Sequence, residues 1–142
     1  PIRDAETVET ELMLADLEGL ERRQQGLVKR ARGNDKEAAA QLALIEPIMA
    51  ALQAGRPART AVPPGDEEAA KRLQLLTTKP VLYVANVEEG AAATGNAHSA
   101  RVFARAEAEG ARAVVVSAAI EAEISQMPEG DRPDFLASLG LE

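Results

Sequence analysis

The sequence predicts an α/β protein: part of a parallel sheet with flanking helices, preceded by an antiparallel α-helical hairpin. Three observations predict it. Two short apolar runs, residues 81–85 and 113–116, lie on either side of a helical stretch that ends at Gly110, the pattern of a β-α-β unit. Two series of apolar residues spaced alternately by four and three flank a Gly-Asn-Asp break. A stretch rich in proline and glycine, residues 55–65, separates the two patterns.

Residues 4–32 read as a helix, with acidic residues in the opening turns and Lys29, Arg30 and Arg32 in the last, which complements the helix dipole. Met13, Leu17, Leu20, Leu27 and Ala31 form a coiled-coil seam interrupted only by Gln24. Gly33-Asn34-Asp35 breaks the helix, and Asn34 with Glu37 reads as a capping box for the next one. A matching seam follows at Ala38, Leu42, Ile45, Met49 and Leu52, so the two helices form an antiparallel αα-hairpin. Pro47 should kink the second helix, leaving either one bent helix or two segments. Residues 55–65 read as a linker, which divides the chain into a coiled-coil hairpin with its linker at 1–64 and an α/β part at 65–142. Asp66 caps a further helix reaching about Thr77, with an apolar face of Ala69, Leu73 and Leu76.

Pro80 opens the first strand, whose β-branched and aromatic residues predict burial on both faces. A small-residue loop at 89–96, a helix at 97–109 and the second strand follow. A right-handed crossover makes the strands parallel and brings Asn86 beside Ser117. Helices near 119–126 and 132–139 complete the chain, and no internal repeat is visible.

A length of 142 residues suits one domain with an appendage, and alanine and leucine rather than the 2% of aromatic residues supply the apolar content. The 16 Lys and Arg against 23 Asp and Glu give a net charge of −7, which excludes an overall pull toward nucleic acid or an anionic membrane. With no cysteine and one histidine, neither a disulfide framework nor zinc chemistry is expected, and the composition suits a reducing cytoplasm. No apolar run approaches the roughly 18 residues of a membrane span. The start, P-I-R-D-A-E, is no signal peptide and lacks an initiator Met, as expected of a piece of a longer protein.

Ligands of open α/β sheets sit beyond the carboxyl ends of the strands, which here carry Asn86, Val87 and Glu89 on one side and Ser117, Ala118 and Ala119 on the other. An amide followed by a carboxylate can read the edge of a purine, and small residues let a backbone approach it. The same division of base reading between two strand ends occurs in purine-nucleotide-binding P-loop proteins. The competing reading is structural: Asn86 ends a strand and Ser117 caps a helix. There is no G-x-x-x-x-G-K-[ST] to cradle phosphates or hold Mg²⁺, so no catalytic or metal-binding residue is expected. The D-x-x-G at residues 16–19 lies inside the first helix and reads as accidental, and His98 reads as solvated. Arg22, Arg23, Lys29, Arg30 and Arg32 near the hairpin tip are either a solvated helix end or a weak contact for RNA or a ribosomal surface, with Arg56 and Arg59 extending it.

The stretches I-R-D-A-E-T-V-E-T-E-L-M-L-A-D-L-E, G-N-D-K-E-A, K-P-V-L-Y-V-A-N-V-E-E, V-V-V-S-A-A-I-E-A-E-I and F-L-A-S-L-G-L-E resemble, in order and along essentially the whole chain, the middle of the YchF-type ATPases of the Obg-related group of translation-associated P-loop NTPases. The resemblance implies a coiled-coil insert projecting from a nucleotide-binding domain, whose distal part this chain supplies. It makes Asn86-Val87-Glu88-Glu89 the base-specificity motif and Ser117-Ala118-Ala119 the last nucleotide-contacting loop. Most of the superfamily carries Asn-Lys-x-Asp; with Val87 for Lys and Glu89 for Asp, the resemblance points to ATP over GTP. It further implies phosphate-binding elements upstream and a TGS domain downstream, with Mg in the intact protein, which would be a cytoplasmic ATPase or GTPase meeting the ribosome or RNA and no membrane. The chain alone is expected to hold nucleotide weakly and not to hydrolyse it. Two alternatives are a non-enzymatic helical adaptor built on a structural α/β base, and a GTPase of relaxed specificity.

Overall fold

Helix α1 (Ile2–Arg32) runs unbroken, with Asp4 in its first turn and three cations in its last. Its buried residues are Asp16, Leu20 and Leu27, with Met13, Leu17 and Ala31 partly covered. Asn34 takes a left-handed φ of 65°, and Asp35, rather than the expected Asn34, is the N-cap of α2 (Lys36–Gln53). The Asp35 carboxylate accepts from Ala38 N–H at 3.0 Å and pairs with Arg30 at 2.7 Å. The backbone bond first, and the guanidinium second, hold its carboxyl below its ordinary value.

Pro47 does not divide α2, which stays helical to Gln53. The exposed proline forfeits one helix bond, while the buried Leu44, Ile45, Ile48 and Met49 around it hold the helix to its neighbours. The buried face of α2 is also wider than a seam, taking in Leu44, Ile48 and Ala51 besides the expected positions. The cause is a second layer: a 3₁₀ turn (Ala58–Thr60), together with Leu73 and Leu75, joins the cluster formed by Leu20, Leu27 and α2. Leu20, Ile45 and Ile48 are the largest fully buried side chains, and each contributes about 1.5–3 kcal/mol.

The expected linker is therefore a packed loop. Ala58 is fully buried, and its N–H donates to Thr77 Oγ1 at 2.9 Å. Helix α3 (Glu67–Arg72) ends well before Thr77 because Gln74 takes a φ of 57° and turns Leu75 and Thr77 inward. Asp16 then captures the N–H groups of Leu76 and Thr77, both at 2.8 Å, and the Thr77 hydroxyl at 2.6 Å. The structure, a computed structural model describing residues 1–141, accordingly divides after Pro80 rather than after Pro64. Arg3–Pro80 form one unit, and Val81 onward, with Pro1 and Ile2, form the other.

The second unit holds a parallel two-stranded sheet of β1 (Leu82–Asn86) and β2 (Arg112–Val116), in register from Leu82↔Arg112 to Asn86↔Val116. Helix α4 (Ala97–Glu109) connects the strands, packs on both, and is closed by Gly110 at a φ of 66°. On its side of the sheet the Tyr83 hydroxyl donates to Glu109 at 2.7 Å and accepts from Arg105 at 3.2 Å. Leu82 and Val84 are each 57% exposed and Val114 is 40% exposed, so the expected burial on both faces is not observed. Strand residues alternate between faces, and among the described residues only the face bearing Tyr83 and Ala85 is covered. Helices α5 (Ala118–Gln126) and α6 (Arg132–Ser138) follow. No helix among the described residues is long and apolar enough to cross a membrane.

Candidate functional site

The two strand ends meet as the crossover requires. Asn86, the last residue of β1, uses its Oδ1 to accept from Ala118 N–H at 2.9 Å, so the side chain fixes the first turn of α5. Beside it Val87 N–H donates to Val116 C=O at 2.8 Å, which carries the pairing one residue past the strands. Asn86 therefore does more than end a strand, and its Nδ2 remains available as a donor. Val87 is 8% exposed: it seats the turn, and its side chain points away from solvent. Glu89 is exposed and opens a 3₁₀ turn (Glu89–Ala91).

Ser117 is the N-cap of α5, yet its side chain makes no capping bond. It is 4% exposed, and its hydroxyl finds no partner among the described residues. A buried unpaired hydroxyl costs about 1–3 kcal/mol and is seldom left without a reason. The Ser117 carbonyl accepts from Glu121 N–H at 3.0 Å, which leaves it one lone pair. Ala118 and Ala119 are exposed, and the Ala119 N–H stands in a helical first turn where no intrahelical acceptor exists. Ser117 also lines an apolar groove of about 360 Å³ with Val115, Val116, Ile120, Ile124 and Leu136. A larger cavity, about 730 Å³, belongs to the helical unit and is lined by Arg23, Gln41, Leu44, Asp66 and Arg72. Chemistry rather than size directs attention to the strand ends: the orphaned hydroxyl and the converging amide are there.

Glu88, within the expected motif, and two residues outside it, Asn96 and Ser99, hold the loop between β1 and α4. Glu88 Oε2 accepts from Asn96 Nδ2 at 2.9 Å. Asn96 in turn caps α4, its Oδ1 accepting from His98 and Ser99 N–H at 2.9 Å each, while Ser99 Oγ accepts from Asn96 N–H at 2.8 Å. The Asn-x-x-Ser spacing was a visible signal for this cap. His98 is exposed and enters only through its backbone. Gly95 has a φ of +73°, and a Cβ there would lie 2.6 Å from Ser99 Oγ. Gly95→Ala is expected to cost about 2 kcal/mol through left-handed strain and loss of the cap, read as a lower urea midpoint.

The basic residues are not equivalent. Arg30 is committed to Asp35, and Arg22 makes an exposed i,i+4 pair with Glu18 at 3.4 Å. Arg23, Lys29 and Arg32 are exposed without an ion pair among the described residues. Arg59 instead turns to Thr77 C=O at 3.3 Å and to Glu9 at 3.9 Å. Among the described residues no group of three or more His, Cys, Asp or Glu is placed to hold a metal ion.

A parallel β-α-β unit whose adjoining strand ends are tied by an asparagine is a ligand-site architecture of the open α/β class. No family model matches the chain. Curated relatives do: it is 43% identical over its whole length to the ribosome-binding ATPase YchF of Haemophilus ducreyi and 37% identical to that of Bacillus subtilis. It spans 39% and 40% of the length of those two relatives. Its fold superimposes on the YchF GTPase of Schizosaccharomyces pombe with a TM-score of 0.87 at 26% identity, covering all of this chain and 40% of that one. The chain belongs to the YchF family.

Proposed function

We propose that this chain supplies the base-reading end of a nucleotide site in a ribosome-associated P-loop NTPase, and that the intact protein hydrolyses ATP in preference to GTP. The observation that supports it most is the Asn86 Oδ1 bond to Ala118 N–H, which joins the two strand ends and leaves Asn86 Nδ2 and the Ala119 N–H as donors beside that junction. Those two donors suit the ring nitrogens of a purine edge. Glu89, one methylene longer than the Asp of the common motif, is ill placed for the paired bonds that select guanine, but its exposed carboxylate reads adenine by accepting a single bond from the amino group; the buried Val87 lends no stem to stack on the base. The orphaned Ser117 hydroxyl fits a site that is completed by further groups. No residue here serves phosphates or Mg²⁺, which would be held by the remainder of the protein.

In this reading the α1–α2 pair is a coiled-coil arm inserted into the nucleotide-binding domain, with Arg23, Lys29 and Arg32 as its free cations for a ribosomal or RNA surface. A cytoplasmic location follows from that partner, and the relatives named as ribosome-binding ATPases lend it weight. The test is a titration of ATP and GTP against the protein extended to include its phosphate-binding part, with native Glu89 and with Glu89→Ala. Native protein is expected to favour ATP, and the substitution to reduce that preference by roughly tenfold, the worth of one bond to a charged group. Equal binding of both nucleotides by native protein would overturn the assignment.

A further inference from the structure

We infer that Glu88, the motif residue to which no base contact is given, is a positioning residue: through Asn96 it sets where Glu89 stands. The inference rests on the base-reading role proposed for Glu89. The loop that follows, E-G-A-A-A-T-G-N, has almost no side-chain bulk, and Ala91 is its one buried apolar anchor. Its remaining supports are short backbone bonds, including Gly95 N–H to Ala91 C=O at 2.7 Å, and the Glu88–Asn96 tie across its mouth.

Asn96 is itself held by the helix it caps. Its Oδ1 takes two N–H groups of α4, which fixes the orientation of the amide and aims Nδ2 at Glu88. Helix α4 packs on both strands, so Glu88 is anchored to the body of the unit. Two consecutive glutamates repel each other when both are free. With Glu88 committed to Asn96, its charge is held to one side and the backbone at Glu89 is delivered in one orientation, at the 3₁₀ turn that begins there.

The chemistry allows the tie to be broken without losing the helix cap. Asp caps a helix as well as Asn, and its charge suits the N-terminus. Asn96→Asp therefore keeps the α4 cap but places a carboxylate oxygen against Glu88 where a donor stood. Adding Glu88→Gln to Asn96→Asp restores a donor–acceptor pair with its polarity reversed. In the extended protein, Asn96→Asp is expected to lower the ATP-to-GTP affinity ratio roughly tenfold, and the double substitution to return it to within about twofold of native. In parallel, hydrogen exchange of the loop amides from Glu89 to Thr94 should quicken in Asn96→Asp and slow again in the double variant, with the α4 amides unchanged. An unchanged ratio in a protein whose Glu89→Ala variant does lose selectivity overturns the inference, as does exchange that the swap fails to restore. If Glu89→Ala leaves selectivity intact, the base-reading assignment fails instead, and the exchange data alone decide whether Glu88 holds the loop.

Discussion

Replacing Asp16 with alanine is expected to lower the unfolding free energy of the helical unit by about 3–5 kcal/mol. Asp16 is 4% exposed and accepts three hydrogen bonds, from Leu76 N–H, Thr77 N–H and the Thr77 hydroxyl, at 2.6–2.8 Å. Truncation leaves two backbone donors without an acceptor, and each buried orphan costs about 1–3 kcal/mol. The damage also spreads: Thr77 Oγ1 accepts from Ala58 N–H, so the loss of Asp16 frees the hydroxyl that positions the Ala58 turn. Asp16→Asn keeps one acceptor oxygen and should lose roughly half as much. Urea unfolding followed by helical circular dichroism checks the pair. A loss below about 1 kcal/mol for Asp16→Ala would mean that water or a rearranged loop replaces the carboxylate.

That clamp marks the limit of what the sequence discloses. The β-α-β unit was legible because its signals are local: two apolar runs, a helical stretch between them, and Gly110 at the left-handed closing position. Chain handedness then placed Asn86 beside Ser117, and the bond from Ala118 to Asn86 agrees with it. The Asp16–Thr77 bonds join residues 61 apart, and no spacing rule reaches that far. Asp16 looked like an accident within a helix because its own neighbours give it no work. Residues 55–65 misled for a related reason: prolines and glycines announce turns, but only the partner across the fold decides whether a turn is solvated or, like Ala58, fully buried. At the site, Glu88 stood within the motif with no role of its own, although Asn96 with Ser99 already spelled a helix cap.

Ile48 separates two accounts of the helical unit. In a two-helix coiled coil the seam of α2 carries the stability, and Leu42 matters while Ile48, off the seam, is peripheral. In the structure Ile48 is fully buried, and Leu42 is only partly so. The difference arises because the turn at Ala58 and the residues Leu73 and Leu75 add a second layer to the cluster, widening the covered face of α2 beyond one stripe. Ile48→Ala is therefore expected to cost about 2–5 kcal/mol, including the cavity left in a site hemmed in by neighbours. Leu42→Ala, at a site that solvent already reaches, should cost less than half of that. The order of the two urea midpoints decides the matter: Ile48→Ala below Leu42→Ala means a layered unit in which α2 is central, and the reverse means an arm whose second layer contributes little. The outcome bears on the arm role proposed for the α1–α2 pair, since a layered base stiffens such an arm.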